Sequence, residues 1–394
     1  MGKKRLPLLL ALFLLLSACG GPGDPEATPT SAPTPEAAVT SQPAPAPTPE
    51  PYDGPWNPLT GEPIGEDWVN RRPVAIMLNN LKEALPQQGQ SEADILYEVL
   101  AEGGITRMLG VYQSVEGVGK IGSIRSARPY YLELALGHDA VYLHAGGSED
   151  AYAKIRQWGV DALDGVRGPY MSNSDNGNLM WRDSERRKSY SLEHTVVTSG
   201  DAVCERFAGY TGLRQEHEDG YVYEMSFVQD GTPAGGAAAQ QITVPYSNYK
   251  TGLFTYDADT GRYQVEEYGK PYVDGNTGET VAVTNVIVIK TACKNTGDKY
   301  AHITVDLSSG GAGWFACGGQ YIPITWTKDF PDGQLRYFDA EGEPLTFGVG
   351  NTYVNIVPLD SAVSFTEPKH PRHRKMPGVF VSGGGQLQQP LKSR

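Results

Sequence analysis

The sequence predicts an α+β protein, in which an α/β layered N-terminal domain is followed by a mostly antiparallel β C-terminal domain. Three observations lead to this fold class. About 340 residues follow the proline-rich segment that ends at Pro51, a length typical of two domains. Up to Gly159, apolar strand-like runs alternate with segments of helical period. Beyond Gly200, short strand-like runs are separated by turns that contain Gly and Asp.

The first residues have the pattern of a bacterial lipoprotein signal. Residues 3–5 are basic, and residues 6–16 form an apolar run shorter than the ~20 residues that span a bilayer. The run ends in Leu-Ser-Ala-Cys, which resembles a lipobox and implies cleavage just before Cys19 and attachment of diacylglycerol, with palmitate-type acyl chains, to its sulfur. The alternative is an ordinary secretory signal with a chance cysteine. We therefore predict a lipoprotein signal peptide over residues 1–18.

Residues 19–51 are predicted to form a disordered, lipid-anchored stalk. The stretch from Gly20 to Pro51 contains ten prolines, no aromatic residue and no Lys or Arg, so it cannot bury enough apolar surface to fold. At ~3.1 Å per residue in a polyproline-like conformation, such a tether reaches up to roughly 100 Å. A second flexible segment is predicted at residues 366–394, which are basic and then rich in Gly and Gln.

Composition limits the partners and cofactors. A formal net charge of −13 argues against nucleic-acid binding, which requires a basic face. No Cys/His spacing indicates a metal site and no motif indicates a cofactor, so neither is expected. In an extracytoplasmic protein Cys293 and Cys317 could form a disulfide; alternatively these two cysteines and Cys204 are all unpaired.

The N-terminal domain, residues 52–212, is predicted to alternate strands and helices. Val74–Leu78 is a continuous apolar run, typical of a buried strand. Residues 91–104 are expected to form a helix, with Ser91 as its N-cap and a Gly-Gly pair at its end. The later elements are a strand over 105–114, a helix opened by Pro129, a strand over 139–148, and a helix capped by Ser148 and ended by Gly159.

The C-terminal domain, residues 213–365, is predicted to be a series of β-hairpins. Runs such as QITVPYS, TVAVTNVIVIKTA and NTYVNIVP have the composition of strands. Turns of the DADTG, DGNTG and AEGE types separate them.

Several motifs resemble the YerB-like lipoproteins, a bacterial family with two domains of unknown function. The motifs are RPVAIMLNN, SEADILYEVLAEGGITRMLGVYQS, KIGSIRSARPYYLELA and YLHAGGS in the first domain, and TVAVTNVIVIK, ITW and LTFGVGNTYVNIVP in the second. The resemblance covers most of the chain beyond the stalk. One segment departs from the family pattern, since His194 is followed by Thr-Val-Val rather than by an Asn-Leu-Tyr-like run. The resemblance implies a fold and a location, and it implies no reaction.

Two arginines just before Pro129 mark the main candidate site. A helix N-terminus presents free N–H groups and a partial positive charge, and arginine adds bidentate donors suited to carboxylate or phosphate. We therefore predict an anion-binding site, formed by Arg107, Arg125, Ser126 and Arg128. The alternative is internal salt bridging, in which the arginines are neutralised by the acidic residues of the preceding predicted helix, Asp94, Glu98 and Glu102.

Two further candidates lie where strands are predicted to end, because ligands of α/β sheets gather at the carboxyl ends of strands. Asn79 ends the first strand and His144 ends a later one, and both are predicted to bind ligand. The simpler alternatives are a capped turn for Asn79 and a satisfied core histidine for His144. The HAGGSED segment is not a phosphate loop, since Glu149 and Asp150 occupy the first helical turn.

Catalytic candidates are weaker, and no catalytic residue is assigned. Glu98 and Glu102 could form a paired-carboxylate glycosidase site. Ser123 or Ser126 could form a triad with His144 and a carboxylate, but the chain lacks the G-x-S-x-G elbow that would support it.

The sequence thus predicts a lipid-anchored protein on the extracytoplasmic face of the cell membrane, which contacts the membrane through the lipid on Cys19. Its expected function is a non-enzymatic binding or accessory role, with an anionic cell-wall polymer or an envelope protein as partner. The alternative is a hydrolase or transferase that acts on an envelope glycan or peptide, with His144 and a carboxylate as acid and base. A third possibility, a purely structural scaffold, has neither activity.

Overall fold

A computed structural model describes residues 52–209 and 211–367. The predicted signal peptide (1–18), the stalk (19–51) with Cys19, and residues 368–394 of the predicted C-terminal segment lie outside the described residues. Among the described helices, none has the length and apolar character needed to cross a membrane.

Helices are few and short in the described part of the chain. The α-helices are α1 Glu66–Val69, α2 Pro129–Gly137, α3 Glu149–Trp158 and α4 Gly200–Ala208. Single 3₁₀ turns occur at Lys82–Ala84, Gln90–Glu92, Glu102–Gly104, Arg186–Lys188 and Leu192–His194.

Strands dominate the fold. Those before residue 212 are β1 Val74–Asn79, β2 Ile95–Leu100, β3 Thr106–Tyr112, β4 Lys120–Gly122, β5 Val141–His144, β6 Ala162–Asp164, β7 Met171–Ser172, β8 Met180–Arg182 and β9 Val196–Ser199. Those after it are β10 Ser226–Val228, β11 Ala237–Ala238, β12 Gln241–Pro245, β13 Thr251–Asp257, β14 Arg262–Glu267, β15 Lys270–Pro271, β16 Ala282–Val283, β17 Asn285–Thr291, β18 Cys293–Asn295, β19 Ile303–Val305, β20 Gly311–Cys317, β21 Gln320–Thr327, β22 Arg336–Phe338, β23 Thr346–Gly348, β24 Thr352–Pro358 and β25 Ser364–Thr366.

One large mixed sheet runs through both halves of the chain. Its strand order is β11-β21-β20-β17-β24-β2-β3-β1-β5-β6, with β22 beside β21. Strand β24, from the C-terminal half, pairs in parallel with β2 from the N-terminal half. The parallel pairs β1–β5 and β5–β6 lie at one end of the sheet. The two halves therefore share a continuous hydrogen-bonded sheet.

The two faces of this main sheet are covered differently. One face packs against a six-stranded sheet, β15-β14-β13-β12-β25 with β16 beside β14. Its apolar core includes Ile76, Leu96 and Val288 of the main sheet with Val244 and Phe254 of the second sheet. The opposite face packs against helices α2 and α3, through residues such as Met77, Leu109, Tyr131, Tyr142 and Ala151.

Several predicted elements are confirmed by their local chemistry. Strand β1 is buried along its whole length, as its continuous apolar run indicates. Helix α2 begins at Pro129, whose missing N–H costs nothing in the first turn. Helix α3 begins after Ser148, whose Oγ accepts from the Ala151 N–H at 3.1 Å, and it ends at Gly159 with a φ of 64°.

The helix predicted over residues 91–104 is wrong, because this segment contains strand β2. Alternate side chains point to opposite faces, with Tyr97 on the helix-covered face and Leu96 on the face toward the six-stranded sheet. A strand buried on both faces carries apolar residues without a period of two, so its pattern also fits a helix. The Ser91 hydroxyl donates to Asp274 instead of capping a helix. The fold is therefore richer in sheet than the alternation predicted for residues 52–212.

Candidate functional site

The candidate residues gather where a loop separates the carboxyl ends of β1 and β5. The Ser123 carbonyl accepts from the Asn79 N–H, and the Arg125 N–H donates to the Met77 carbonyl, both at 2.9 Å. On the side of the loop that faces β5, the Arg125 carbonyl accepts a hydrogen bond from the Ala145 N–H at 3.0 Å. The crevice in which α/β sheets bind ligands is thus filled by residues 123–127 of the chain itself. The loop delivers Arg125 and Ser126 to the surface beside the start of α2.

Each predicted arginine has a carboxylate partner. Glu102 accepts from Arg107 Nη2 at 2.6 Å and also from Arg128, whose Nε lies 3.3 Å from Glu102 Oε2. Arg125 Nη1 donates to the Glu193 carbonyl at 3.0 Å and lies 3.3 Å from its carboxylate. Internal salt bridges therefore hold these side chains in place.

The source of the neutralising charge differs from the prediction. Glu102 lies in the 3₁₀ turn after β2 rather than on a helix. Burial opposes its ionisation, but Arg107 and Arg128 outweigh that effect and lower its pKa to about 2. Asp94 accepts from Asn57 and from the Gln113 N–H instead of contacting an arginine. Among the three predicted partners, only Glu102 bonds to the predicted arginines.

Two donors of this arginine cluster lack partners. The Nε atoms of Arg107 and Arg125 are buried and make no hydrogen bond with the described residues. Burial, together with the neighbouring charge of Arg107, lowers the pKa of Arg125. Ser126 donates from its hydroxyl to the Ala145 carbonyl at 3.2 Å. The cluster is therefore rigid, with positive charge in excess of the two carboxylates that it contacts.

Asn79 and His144 are both interior residues. Asn79 Nδ2 lies 2.9 Å from His194 Nδ1 and 3.2 Å from Ser123 Oγ, so this side chain fixes the loop between β1 and β5. His144 is fully buried, and its Nδ1 lies 2.7 Å from the Gly146 carbonyl. Burial lowers the pKa of His144, which keeps the imidazole neutral. Neither residue lines a described cavity.

A groove of about 700 Å³ lies beside the arginine cluster. One wall consists of the loop residue Ser126, Arg128 and the first turns of α2 and α3. The other wall consists of residues 296–302, which connect β18 to β19, and of β19 itself. Its volume suits a small-molecule or peptide ligand. Two of the predicted site residues, Ser126 and Arg128, border it.

The groove has one positive corner and several acidic positions. Arg128 supplies the positive charge, and its side chain is 8% exposed. Across the groove, His302 Nδ1 lies 2.5 Å from Asp298 Oδ2. Glu133, in the second turn of α2, is 8% exposed, and burial raises its pKa to about 7. Tyr300 on the opposite wall is an exposed residue.

A second cluster of charges, which the sequence did not indicate, is sealed between the two packed sheets. Lys250 Nζ lies 2.7 Å from Glu98 Oε1 and also contacts Glu267. Tyr353 and Tyr246 donate to Glu98 Oε2 at 2.6 and 2.9 Å. All three charged side chains are fully buried. We refer to Glu98, Lys250 and Glu267 as the buried triad.

Burial and neighbouring charge shift each pKa in the triad. Burial opposes ionisation of Glu98, but Lys250 and several hydrogen bonds outweigh it and hold its pKa below the ordinary value. Burial and the Glu98 charge raise the pKa of Glu267 to about 8. Burial also opposes the charged form of Lys250, yet the two carboxylates raise its pKa. The arrangement keeps one carboxylate and the ammonium ionised in the interior.

Glu98 and Glu102, the weak candidates for a paired-carboxylate glycosidase site, do not lie together in the structure. Because the segment is a strand followed by a tight turn, Glu98 enters the sheet interface while Glu102 joins the arginine cluster. The sequence holds no local signal for the triad, since its members come from β2, from the residue that precedes β13, and from β14. The described cysteines, Cys204, Cys293 and Cys317, are free rather than paired.

Comparison with known proteins connects this arrangement to a family. Residues 59–211 match the model of the N-terminal domain of "Protein of unknown function (DUF3048)", and residues 242–354 match the model of its C-terminal domain. A curated relative from Bacillus subtilis (strain 168), "Putative lipoprotein YerB", is 32% identical over 310 residues, which is 77% of this chain and 87% of the relative. The chain belongs to the DUF3048 family.

A solved structure of this family has a similar fold. The crystal structure of YerB protein from Bacillus subtilis aligns with a TM-score of 0.66 and 28% identity, over 78% of this chain and 99% of that one. Both DUF3048 segments contribute to the sites described above. Arg128 lies in the first segment and His302 in the second, so the groove is made by the two together.

Proposed function

We propose that this chain is a lipid-anchored binding protein of the cell envelope, whose groove takes an envelope component with an anionic group at Arg128. The single observation that carries the proposal is the groove of about 700 Å³ that Arg128 and Ser126 border. The ligand class that suits it is a carboxylate- or phosphate-bearing fragment of a cell-wall polymer or of an envelope protein.

Rigid placement of Arg128 supports this role. Glu102 accepts from its Nε and Nη2 atoms, and the Ala127 carbonyl accepts from its Nη1 at 2.7 Å. A side chain held in this way loses little conformational freedom on binding an anion. The same Glu102 holds Arg107, whose charge adds to the positive potential of this corner.

Anchoring to the outer face of the membrane is the second part of the proposal. The Leu-Ser-Ala-Cys sequence that ends at Cys19 supports acylation of that cysteine, and a family relative is named a putative lipoprotein. Residues 19–51 then act as the tether that carries the folded unit away from the membrane.

The proposal is tested by titrating the full mature chain, with Cys19→Ser to prevent acylation, with solubilised cell-wall fragments. Arg128→Gln should weaken binding at least tenfold. The matched control is Arg214→Gln, because Arg214 also pairs with a carboxylate, Asp139, but lies outside the groove. Equal affinity of the two variants, with unchanged melting temperatures, would contradict an anion site at Arg128.

A second candidate function rests on Glu133. A carboxyl group with a pKa of about 7 that lines a groove is suited to proton transfer near neutral pH. This favours a hydrolase or transferase acting on an envelope glycan or peptide as the alternative. Turnover of isolated wall material by the wild-type chain, abolished by Glu133→Gln, would establish it; stoichiometric binding without product would exclude it.

A further inference from the structure

Glu133 is a nearly buried acid that the protein itself leaves without a partner. It lines the groove, is 8% exposed, and forms no hydrogen bond or ion pair with the described residues. Two other acids of the groove differ in this respect, since Asp298 bonds to His302 and Glu149 pairs with Arg167. The carboxylate of Glu133 therefore has acceptor capacity that the described chain does not use.

The carboxylate of Glu133 faces the groove and is partly desolvated there without gaining a donor from the described chain, which disfavours its charged form. The charged groups that act on Glu133 are Lys154 of α3, Asp306 just after β19, and Lys328 just after β21, and none of them forms an ion pair with it among the described residues. Lys328 donates instead to the carbonyls of Asp329 and Pro331. A donor from a bound molecule would supply the interaction that the fold omits.

An ionised carboxylate favours a cationic donor over a neutral one, because a hydrogen bond between two charged groups is the stronger. Glu149 and Asp150 border the same groove on α3, and Asp298 borders it on the facing wall. Lys154 and Lys328 act on Glu133 without bonding to it, so a donor that reaches the carboxylate directly has no competitor among the described residues. Tyr130 and the exposed Tyr300 also line it, and aromatic rings pack well against the methylene chain and ammonium of an alkylamine.

We infer that Glu133 receives a primary ammonium group of the ligand, so that the groove binds a zwitterionic unit with its anion at Arg128 and its amine at Glu133. This inference rests on the proposed function and specifies the substrate class. Glu133 lies five positions after Arg128, the N-cap of α2, and both side chains border the groove, with a rise of ~7.5 Å along the helix axis between the two positions. A short peptide with one free carboxylate and one side-chain amine spans that separation.

The test uses three synthetic tetrapeptides with an acetylated N-terminus and one lysine. The first has a free lysine amine and a free C-terminal carboxylate, the second has an acetylated lysine, and the third has a C-terminal amide. They are titrated into the full mature Cys19→Ser chain and into its Glu133→Gln and Arg128→Gln variants. Melting temperatures confirm that each variant is folded.

We expect the second and third peptides to bind the wild-type chain about tenfold to a hundredfold more weakly than the first, as for the loss of a charged hydrogen bond. Glu133→Gln should abolish only the difference in affinity between the first and second peptides. Arg128→Gln should abolish only the difference in affinity between the first and third peptides.

The experiment distinguishes failure of the amine site at Glu133 from failure of the anion site at Arg128. Equal binding of the first and second peptides to the wild-type chain would overturn the amine site, even if the third peptide bound weakly. Equal binding of the first and third would overturn the anion site at Arg128. Absence of binding by the first peptide would contradict both proposals.

Discussion

Glu102 is bonded to Arg128 across 26 positions of the chain, and this contact joins the turn after β2 to the start of helix α2. The same carboxylate accepts from Arg107 at 2.6 Å. One acid therefore fixes two arginines, and it determines how Arg128 is presented to the groove.

Replacing Glu102 with Gln should destabilise the protein in a pH-dependent way. Its pKa lies at about 2 instead of 4.5, so the carboxylate contributes stability that is present above pH 4.5 and is lost as the pH falls toward 2. We expect a loss of about 3 kcal/mol in the free energy of unfolding at pH 7. Urea denaturation of the wild type and the variant at pH 7 and at pH 3 measures this difference in the free energy of unfolding.

The control for this change is Glu185→Gln, since Glu185 forms an exposed pair with Lys188 at 2.6 Å. Exposed pairs contribute little, so this variant should unfold almost like the wild type. If Glu102→Gln behaved like the control at pH 7, the arginine cluster would not be held by that carboxylate.

Replacing Lys250 of the buried triad should strongly lower the free energy of unfolding. Lys250→Met leaves Glu98 and Glu267 buried without their cation, and breaking a buried pair in this way costs about 3–5 kcal/mol. The triple variant Glu98→Gln/Lys250→Met/Glu267→Gln removes all three ionisable groups and should recover part of the loss. Chemical denaturation of both variants gives the comparison; a triple variant no more stable than Lys250→Met would argue against uncompensated charge as the cause.

Glu133→Gln should stabilise the unliganded protein at alkaline pH. The pKa of Glu133 is raised from 4.5 to about 7, so its contribution to stability is present below pH 4.5 and is lost as the pH rises through 7. We expect the variant to exceed the wild type by roughly 2–3 kcal/mol at pH 8.5 and to match it near pH 4. Melting temperatures at the two pH values test this; a variant that gains no stability at pH 8.5 would show that Glu133 is solvated or already paired.

Cys19→Ser should release the protein from the membrane. Acylation of this cysteine is the proposed anchor, so its loss should remove the attachment to the membrane. Fractionation of cells that express each form should find the wild type with membranes and the variant in the soluble fraction. Cys204→Ser, a change at a free cysteine of the folded unit, should remain with the membranes.

The parts of the fold that the sequence predicts well are those with local signals. Pro129 marks the start of α2, Ser148 caps α3, and Gly159 ends α3. These residues act through their own backbone and their near neighbours, so single positions are informative. The sequence also offers the pairing of Arg107 with Glu102 as one of two alternatives, and these two residues lie in the same EGGITR motif.

The remaining features depend on contacts between distant segments. Strand β2 is buried on both faces because the six-stranded sheet covers one face and helix α2 covers the other, and nothing within residues 91–104 reveals this. Lys250 lies 152 positions after Glu98, and the hairpin that forms the far wall of the groove lies in the other DUF3048 segment. The positions of these residues along the chain therefore give no indication that they are in contact.

The most direct test of the central claim is hydrogen–deuterium exchange of the full mature chain, with and without solubilised cell-wall fragments. If the groove binds the ligand, amide exchange should slow in two separate segments, residues 126–133 and residues 296–305. Binding that protects other segments and leaves both of these unchanged would contradict the account.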